Sequence, residues 1–259
     1  MPTKQILVNG VEDQGVPGDD PGLLLGLTVF DTLRTYDGVP FRLLQHLERL
    51  ERSAEALSLP YPGRVALDAD LAQLDMSGDR MVRITLTAGG NRIVSCSDIN
   101  QDRVGASVRV RTIAWSPSPW LPGIVKHGNR AVWELAAAHY QVDEVLLVGP
   151  GGQLLEANRS NIFAVIDGEL VTPVSQGDFL EGVTRRAMLD AANLSGLPIR
   201  ECQVPADGPF DELYLSSTLK ELAPVIELDG KPLNGLGPVG ERLWVAFREL
   251  VAAETEPGR

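Results

Sequence analysis

Alternating apolar and polar residues predict strands in the first part of the chain. The stretch "TVFDTLRTYDGVPF" (residues 28–41) has two extended runs around Tyr-Asp-Gly, which is typical of a β-hairpin. The stretches "RMVRITLTAGG" (80–90) and "SVRVRTIAW" (107–115) alternate in the same way. Between them, "LLQHLERLERSAEALSL" (43–59) places its leucines and alanines at helical spacing, so we expect a helix there.

A break follows at "SPSPWLPG" (116–123), where three prolines and a glycine interrupt regular structure. Beyond it, the pattern predicts a helix at "RAVWELAAAHYQ", three strands joined by turns over residues 143–173, and a helix at "GVTRRAMLDAANLSG". The strand "DELYLSS" is then expected to run into a helix start at "STLKEL". We therefore predict an α+β protein with a smaller domain over residues 1–115, a connection over 116–123 and a larger domain over 124–259.

Composition narrows the functional classes. The formal net charge of −12 argues against nucleic-acid binding, because phosphate backbones are bound by clustered Lys and Arg. No apolar run reaches the roughly 18 residues of a membrane span, and the N-terminus lacks a secretion signal, so we expect a cytoplasmic protein. Two cysteines and three scattered histidines predict neither a disulfide framework nor a metal site.

Lysine is rare in this chain, and one lysine has an unusual setting. Lys4 and Lys231 are most simply read as solvated charges, and Lys220 as a structural residue in an amphipathic helix start. Lys126 follows the apolar pair Ile124 and Val125, which suggests a strand end that enters a protected place. A lysine there is costly to bury unless it is neutral or covalently used, and arginine cannot replace it because arginine keeps its proton.

Three further features lie near apolar elements. Glu156 stands at the end of an apolar strand, "EGVT" (181–184) opens a helix, and "SST" (216–218) offers hydroxyl donors at a second helix start. Each capping segment taken alone is compatible with an ordinary helix N-cap. Together, a reactive lysine, a carboxylate and two anion-binding turns are the groups that a pyridoxal phosphate pocket requires.

In sequence, the chain resembles the fold-type IV pyridoxal-phosphate enzymes, the class-IV aminotransferases. The resemblance covers most of the chain and rests on seven segments in the family's order: "FDTLRTYDG", "HLERLERSA", "KHGNR", "DEVLLVGPGGQLLEANRSNIFAV", "LVTP", "GVTRR" and "LSSTLKELAPV". It implies the two-domain α+β fold of D-amino acid aminotransferase, the cofactor pyridoxal 5'-phosphate, a small amino substrate and a homodimer.

Site residues follow from the same resemblance. Lys126 resembles the lysine that forms a Schiff base with the cofactor, and Glu156 resembles the carboxylate that faces the pyridine nitrogen. The resemblance assigns phosphate binding to a further set of residues: Arg49, Val183, Thr184, Ser217 and Thr218.

Within the family, the segments "WLPGIVKHGNR" and "TAGGNR" resemble 4-amino-4-deoxychorismate lyase, which implies formation of 4-aminobenzoate and pyruvate for folate synthesis. In that reading Arg92 meets the substrate carboxylate and Thr32 lies near the cofactor as a catalytic residue. The alternative is an aminotransferase for branched-chain or D-amino acids, and a non-catalytic binding protein is the remote alternative. One departure from the family is "LLLGLTVF", which replaces a polar pocket wall with Leu25, Leu27 and Thr28 and leaves the substrate open.

Overall fold

The computed structural model describes residues 4–256 and divides into two compact units. The first unit holds described residues 4–100, Val125–Arg130 and 254–256, and the second holds Gln101–Ile124 and Ala131–Ala253. The chain passes from the first unit to the second after residue 100, and the six residues around Lys126 group with the first unit because they pair with its sheet. The domain limits of the sequence analysis themselves stay a prediction.

The first unit combines six strands with three helices. Its elements are β1 (Gln5–Val8), β2 (Val11–Glu12), α1 (Pro21–Leu24), β3 (Thr28–Tyr36), β4 (Val39–Pro40), α2 (Leu43–Ala56), α3 (Arg64–Leu71), β5 (Arg80–Thr87) and β6 (Arg92–Asp98).

The strands of the first unit form one antiparallel sheet in the order β2-β1-β6-β5-β3-β4. The predicted hairpin is confirmed: Asp37 and Gly38 link β3 to β4 with φ of 48° and 88°, the positive values that a tight hairpin turn needs. The predicted helix is confirmed as α2, whose apolar side is buried together with Val29, Leu33 and Ile84 of the sheet. This packing buries one face of the sheet and fixes the register of β3 against α2.

The second unit contains the longer sheet. Its elements are a 3₁₀ turn (Gln101–Arg103), β7 (Val108–Ala114), α4 (Ala131–Tyr140), β8 (Glu144–Val148), β9 (Gln153–Ala157), β10 (Asn161–Ile166), β11 (Glu169–Pro173), α5 (Val183–Leu194), β12 (Ile199–Cys202), β13 (Val204–Pro205), β14 (Glu212–Ser217), β15 (Glu221–Leu228), β16 (Lys231–Pro232) and α6 (Pro238–Glu254).

The ten strands of the second unit follow the order β12-β11-β10-β14-β15-β7-β8-β9-β13, with β16 paired to β15. Strand β9 also packs against β10 and β11, so the sheet curls into a barrel-like form. The barrel interior is filled by small and branched apolar side chains such as Val110, Leu146 and Ala223. Mixed strands and helices confirm the predicted α+β class.

Two local predictions differ from the structure. Residues 143–173 hold four strands instead of three, because the short turn at Asn158–Ser160 separates β9 from β10. The helix start predicted at "STLKEL" is wrong: Thr218–Lys220 form a turn, and Glu221 begins strand β15. The pairing of β15 with β14 and β7 supplies hydrogen bonds that outweigh the local helical spacing. No helix within residues 4–256 is long and apolar enough to cross a membrane.

Candidate functional site

Lys126 lies along the edge of strand β3. The Phe30 amide donates to the Lys126 carbonyl at 2.9 Å, and the Lys126 amide donates to Ser53 Oγ at 3.2 Å. The Gly128 amide donates to the Thr28 carbonyl at 2.8 Å, and a Cβ on Gly128 would lie 1.9 Å from Thr28 Oγ1. This approach requires glycine, so the "KHG" segment is held as an added edge of the sheet.

The Lys126 side chain reaches the ring of Phe30. Its Nζ lies 5.1 Å from the ring centroid, and the guanidinium carbon of Arg83 lies 3.6 Å from the same centroid. Thr32, the predicted catalytic threonine, pairs with Arg83 in the register of β3 and β5 and follows Phe30 by two residues. Alternation along a strand therefore puts Phe30, Thr32 and Arg83 on one face, beside the lysine.

Arg83 is a functional candidate that the sequence analysis missed. It is partly buried, and burial followed by the nearby charge of Arg130 lowers its pKa. Its guanidinium makes no hydrogen bond or ion pair within residues 4–256 and stacks on Phe30 instead. A cation held in this way presents its donors to an anion. A basic residue at a polar position of an alternating strand carries no sequence signal for that role.

Arg49 is anchored by a buried carboxylate. Arg49 Nε donates to Asp31 Oδ2 and Nη2 donates to Asp31 Oδ1, both at 2.8 Å. Asp31 Oδ1 also accepts from the Thr32 amide and lies 2.7 Å from His46 Nδ1. The remaining nitrogen, Nη1, makes no hydrogen bond to any residue between 4 and 256, so one donor of the predicted phosphate-binding arginine stays available.

The charges in this cluster are fixed by its surroundings. Burial opposes ionisation of Asp31, but Arg49 and His46 hold its pKa well below the usual range. Burial lowers the pKa of His46, against the opposing effect of Asp31 and with a further contribution from Arg49 and Lys126. Asp31 is therefore the anion and His46 is neutral at neutral pH. Asp31 and His46 were not identified as a unit from the sequence.

His127 is a neutral neighbour of the lysine. Burial, followed by the charges of Arg130 and Lys126, lowers its pKa to about 4. The residue bridges to Val29 as part of the segment that pairs with β3. A neutral imidazole at this point adds no positive charge beside Lys126.

Arg92 is bound by a buried carboxylate of the first unit. It is the first residue of β6 and forms an ion pair from Nε to Asp70, with a second bond of 3.0 Å from Nη2. Asp70 is 1% exposed and lies on α3. Asp70 therefore binds Nε and Nη2 of Arg92 and leaves Nη1, as Asp31 does for Arg49, and the substrate-binding role of Arg92 stays a prediction.

In the second unit, Glu156 lies where the sequence placed it, next to the end of strand β9. Its side chain is partly exposed, and the Leu180 amide lies 3.4 Å from Oε1. Leu180 belongs to the loop that leads into α5. The carboxylate is thus held beside the start of that helix.

The start of α5 is fixed by Asn161. The side-chain nitrogen Nδ2 of Asn161 donates to the Leu180 carbonyl at 2.7 Å, and its side-chain oxygen Oδ1 accepts from the Gly182 backbone amide at 2.9 Å. Gly182 is the N-cap and has no side-chain cap, so the first amides of α5, at Val183 and Thr184, have no partner from a capping side chain. A helix start of this kind suits an anion.

The second predicted turn meets the same helix start. Ser217 and Thr218 follow β14, and the hydroxyl oxygens of Thr184 and Thr218 lie 3.5 Å apart. The structure thus gathers two sets of predicted residues. Lys126, Arg49 and Thr32 belong to the first unit, and Glu156, Val183, Thr184, Ser217 and Thr218 belong to the second.

Each unit holds groups that suit part of pyridoxal phosphate. In the first unit, an amine suits its aldehyde and a guanidinium with a spare nitrogen suits its phosphate. In the second unit, two adjacent hydroxyls suit the phosphate and a carboxylate suits the ring nitrogen. Residues 4–256 contain no cluster of His, Cys, Asp and Glu that could hold a metal ion.

Comparison with known proteins agrees with this chemistry. The sequence profile of the family "Amino-transferase class IV" matches residues 28–228. A putative branched-chain-amino-acid aminotransferase of Methanocaldococcus jannaschii is 29% identical, with 92% of each chain covered.

Two solved structures share the fold with a TM-score of 0.84 at 24% identity. One is a branched-chain aminotransferase from Thermoproteus uzoniensis with norvaline, with 97% of this chain and 96% of that chain covered. The other is a branched-chain amino acid aminotransferase (T.th.) complexed with N-(5'-phosphopyridoxyl)-L-glutamate, with 98% and 95% covered. The chain belongs to the class-IV aminotransferases, a family of enzymes that depend on pyridoxal 5'-phosphate.

Proposed function

We propose that the protein is an aminotransferase that moves the amino group of a branched-chain amino acid to a keto acid. The observation that carries this proposal is the family match together with relatives named branched-chain aminotransferases. The sequence favoured the lyase instead, and those relatives give the lyase no support.

The proposed roles divide between holding the cofactor and acting on the substrate. Lys126 takes the aldehyde carbon of pyridoxal phosphate, and Glu156 faces the ring nitrogen. The phosphate is taken by Arg49 Nη1 and by a group of backbone amides and hydroxyls on Val183, Thr184, Ser217 and Thr218. Bound pyridoxal phosphate supplies an aldehyde for the substrate's amino group and a ring that draws electrons from its α-carbon.

Proton movement in this scheme is assigned to Lys126. Its Nζ, as a neutral amine, takes the proton from the substrate α-carbon and returns it during transfer. Thr32 and Phe30 line the strand face next to the amine. We assign the substrate carboxylate to Arg83, since its donors are without a partner within residues 4–256 and its guanidinium stacks on the ring that Lys126 also contacts.

Transamination and the lyase reaction give different products, so one comparison separates them. The purified protein is incubated with pyridoxal phosphate, L-leucine and 2-oxoglutarate, and L-glutamate is measured. We expect L-glutamate, none from the Lys126→Ala protein, and no pyruvate from 4-amino-4-deoxychorismate alone. D-alanine in place of L-leucine tests the D-amino acid alternative. Pyruvate from aminodeoxychorismate without a keto acid would overturn the proposal in favour of the lyase.

The homodimer and the cytoplasmic location remain proposals that rest on the family resemblance and the sequence. Sedimentation of the purified chain tests the first of them, with a mass of twice 28.0 kDa as the expected result.

A further inference from the structure

Lys220 is a buried lysine for which the proposed reaction has no use. The sequence predicts a structural residue in a helix start, but Lys220 ends a turn, its side chain is 17% exposed and its Nζ contacts Oε1 of Glu144. The Glu144 side chain is fully buried. Lys220 lies two residues after Thr218, at the end of the turn that is proposed to take the phosphate.

Glu144 connects that turn to a second one. Its Oε2 accepts from the Arg159 amide at 3.1 Å, and its Oε1 accepts from Ser160 Oγ at 2.8 Å. Arg159 and Ser160 belong to the turn that follows the strand of Glu156. One buried carboxylate therefore links the turn after Glu156 to the turn that carries Ser217 and Thr218, and Lys220 supplies the only cation that contacts it within residues 4–256.

We propose that Lys220 is a positioning residue for cofactor binding: by neutralising Glu144, it holds the Ser217–Thr218 turn in a form that accepts the cofactor's phosphate. This inference rests on the proposed function, because it takes that turn as a phosphate site. Lys220 itself contacts neither cofactor nor substrate in this assignment.

The physical reason is the charge balance of a buried carboxylate. Without a cation, Glu144 would be a desolvated anion next to a turn that receives a phosphate dianion, and like charges in a low-dielectric setting repel strongly. The backbone of the turn is held separately, by the Lys220 amide to the Ser217 carbonyl at 3.3 Å and by the Gly105 amide to the Lys220 carbonyl at 2.9 Å. A side-chain substitution at Lys220 therefore removes the charge and leaves these backbone bonds available.

The neutralisation of Glu144 by Lys220 depends on pH. Three charged groups act on the Lys220 amine: Glu144 by contact, and Asp143 and Arg103 through their charges. Burial lowers the pKa of Lys220 to about 8, with Asp143 opposing and Arg103 adding to the effect. As the pH rises through 8, the amine loses its proton and Glu144 loses its compensating charge. The affinity for a phosphate ligand should then decrease.

Binding of pyridoxamine 5'-phosphate tests the proposal without turnover, because this ligand has no aldehyde for Lys126. Its dissociation constant is measured by calorimetry at pH 7 for wild type, Lys220→Met and Lys231→Ala. Lys231 is an exposed lysine of the same unit and serves as the control. We expect binding by Lys220→Met to be weaker by roughly tenfold, as when one partner of a buried charge pair is removed, and Lys231→Ala to match wild type.

Two further variants separate the charge effect from general damage. Glu144→Gln combined with Lys220→Met removes both charges and should recover most of the lost affinity. Lys220→Arg keeps the cation at every pH, so its affinity should stay constant from pH 7 to 9 while that of wild type declines.

Each result decides a different point. Equal affinity of wild type and Lys220→Met at pH 7, or no recovery in the double variant, would overturn the positioning role. Parallel pH curves for wild type and Lys220→Arg would do the same. Failure of the wild-type protein to bind pyridoxamine phosphate at all would instead overturn the proposed function.

Discussion

Two buried carboxylates, one in each unit, hold a cation beside residues proposed to bind phosphate. Asp31 holds Arg49 in the first unit, and Glu144 contacts Lys220 in the second; their side chains are 1% and 0% exposed. The partners differ in chemistry. Arginine keeps its proton at any pH that the protein meets, whereas burial lowers the pKa of Lys220 to about 8. The first pair is therefore permanent, and the second is conditional on pH.

The two cations also differ in what they offer the ligand. The planar fork of Arg49 gives two nitrogens to Asp31 and leaves a third for the phosphate. The ammonium of Lys220 is a point charge that contacts Glu144 and neutralises it. The Asp31–Arg49 pair thus presents its cation to the ligand, while the cation of the Glu144–Lys220 pair neutralises the carboxylate.

Breaking the permanent pair should have the largest effect. Asp31→Ala leaves the Arg49 guanidinium buried without its anion, and such a loss costs about 3–5 kcal/mol of unfolding free energy. Urea denaturation followed by circular dichroism measures it. Asp68→Ala is the control, since Asp68 pairs with Arg64 at the surface and exposed pairs contribute no more than about 1 kcal/mol. Similar losses in both variants would contradict the importance given to Asp31.

Replacing the planar guanidinium of Arg49 by the ammonium of a lysine should have an intermediate effect on ligand binding. Arg49→Lys keeps a positive charge but cannot bind Asp31 through two nitrogens and still spare a third. We expect the affinity for pyridoxamine phosphate to fall by about tenfold, which corresponds to about 1.4 kcal/mol.

Arg52→Lys, on the exposed side of the same helix, is the matched control for Arg49 and should bind like wild type. If Arg49→Lys also bound like wild type, charge alone would suffice at this position.

Lowering the pH should have the smallest effect on the stability of the first unit. The folded protein holds the pKa of His46 below 6.5, so below that pH the unfolded chain binds a proton that the folded chain does not, and stability falls. The same holds for His127, whose folded pKa is about 4. The folded pKa of Asp31 is below 3.8, so its contribution is present above that value and is lost as the pH falls below it. Unfolding free energies measured from pH 7 to 3 should therefore decrease first through the two histidines and then through Asp31.

His46→Gln removes one titrating group of the first step and should make the decrease just below pH 6.5 shallower, with His127 causing the rest. An unchanged upper part would mean that other groups cause the decrease.

Much of the candidate site could be predicted from short segments. The hairpin, helix α2 and helix α5 follow from local spacing and turn residues, and so do the positions of Glu156 on β9 and Thr184 on α5. The helix predicted after Ser217 fails because local spacing cannot register the pairing of β15 with two other strands. That pairing joins residues more than one hundred positions apart.

The sequence could not predict residues whose role depends on contacts with residues far away along the chain. Asn161 matters because it binds both Leu180 and Gly182, and Arg83 matters because it stacks on Phe30. Neither contact leaves a mark in the local pattern. The ion pair of Arg92 with Asp70 of α3 left no mark in the local pattern either.

The grouping of Val125–Arg130 with the first unit affects how the chain can be divided. The backbone passes between the units at four places, after residues 100, 124, 130 and 253. A cut anywhere in residues 116–123 would therefore give two fragments, neither of which contains a whole unit. Separately produced halves should be unable to fold alone, but mixing them should rebuild both units by fragment complementation.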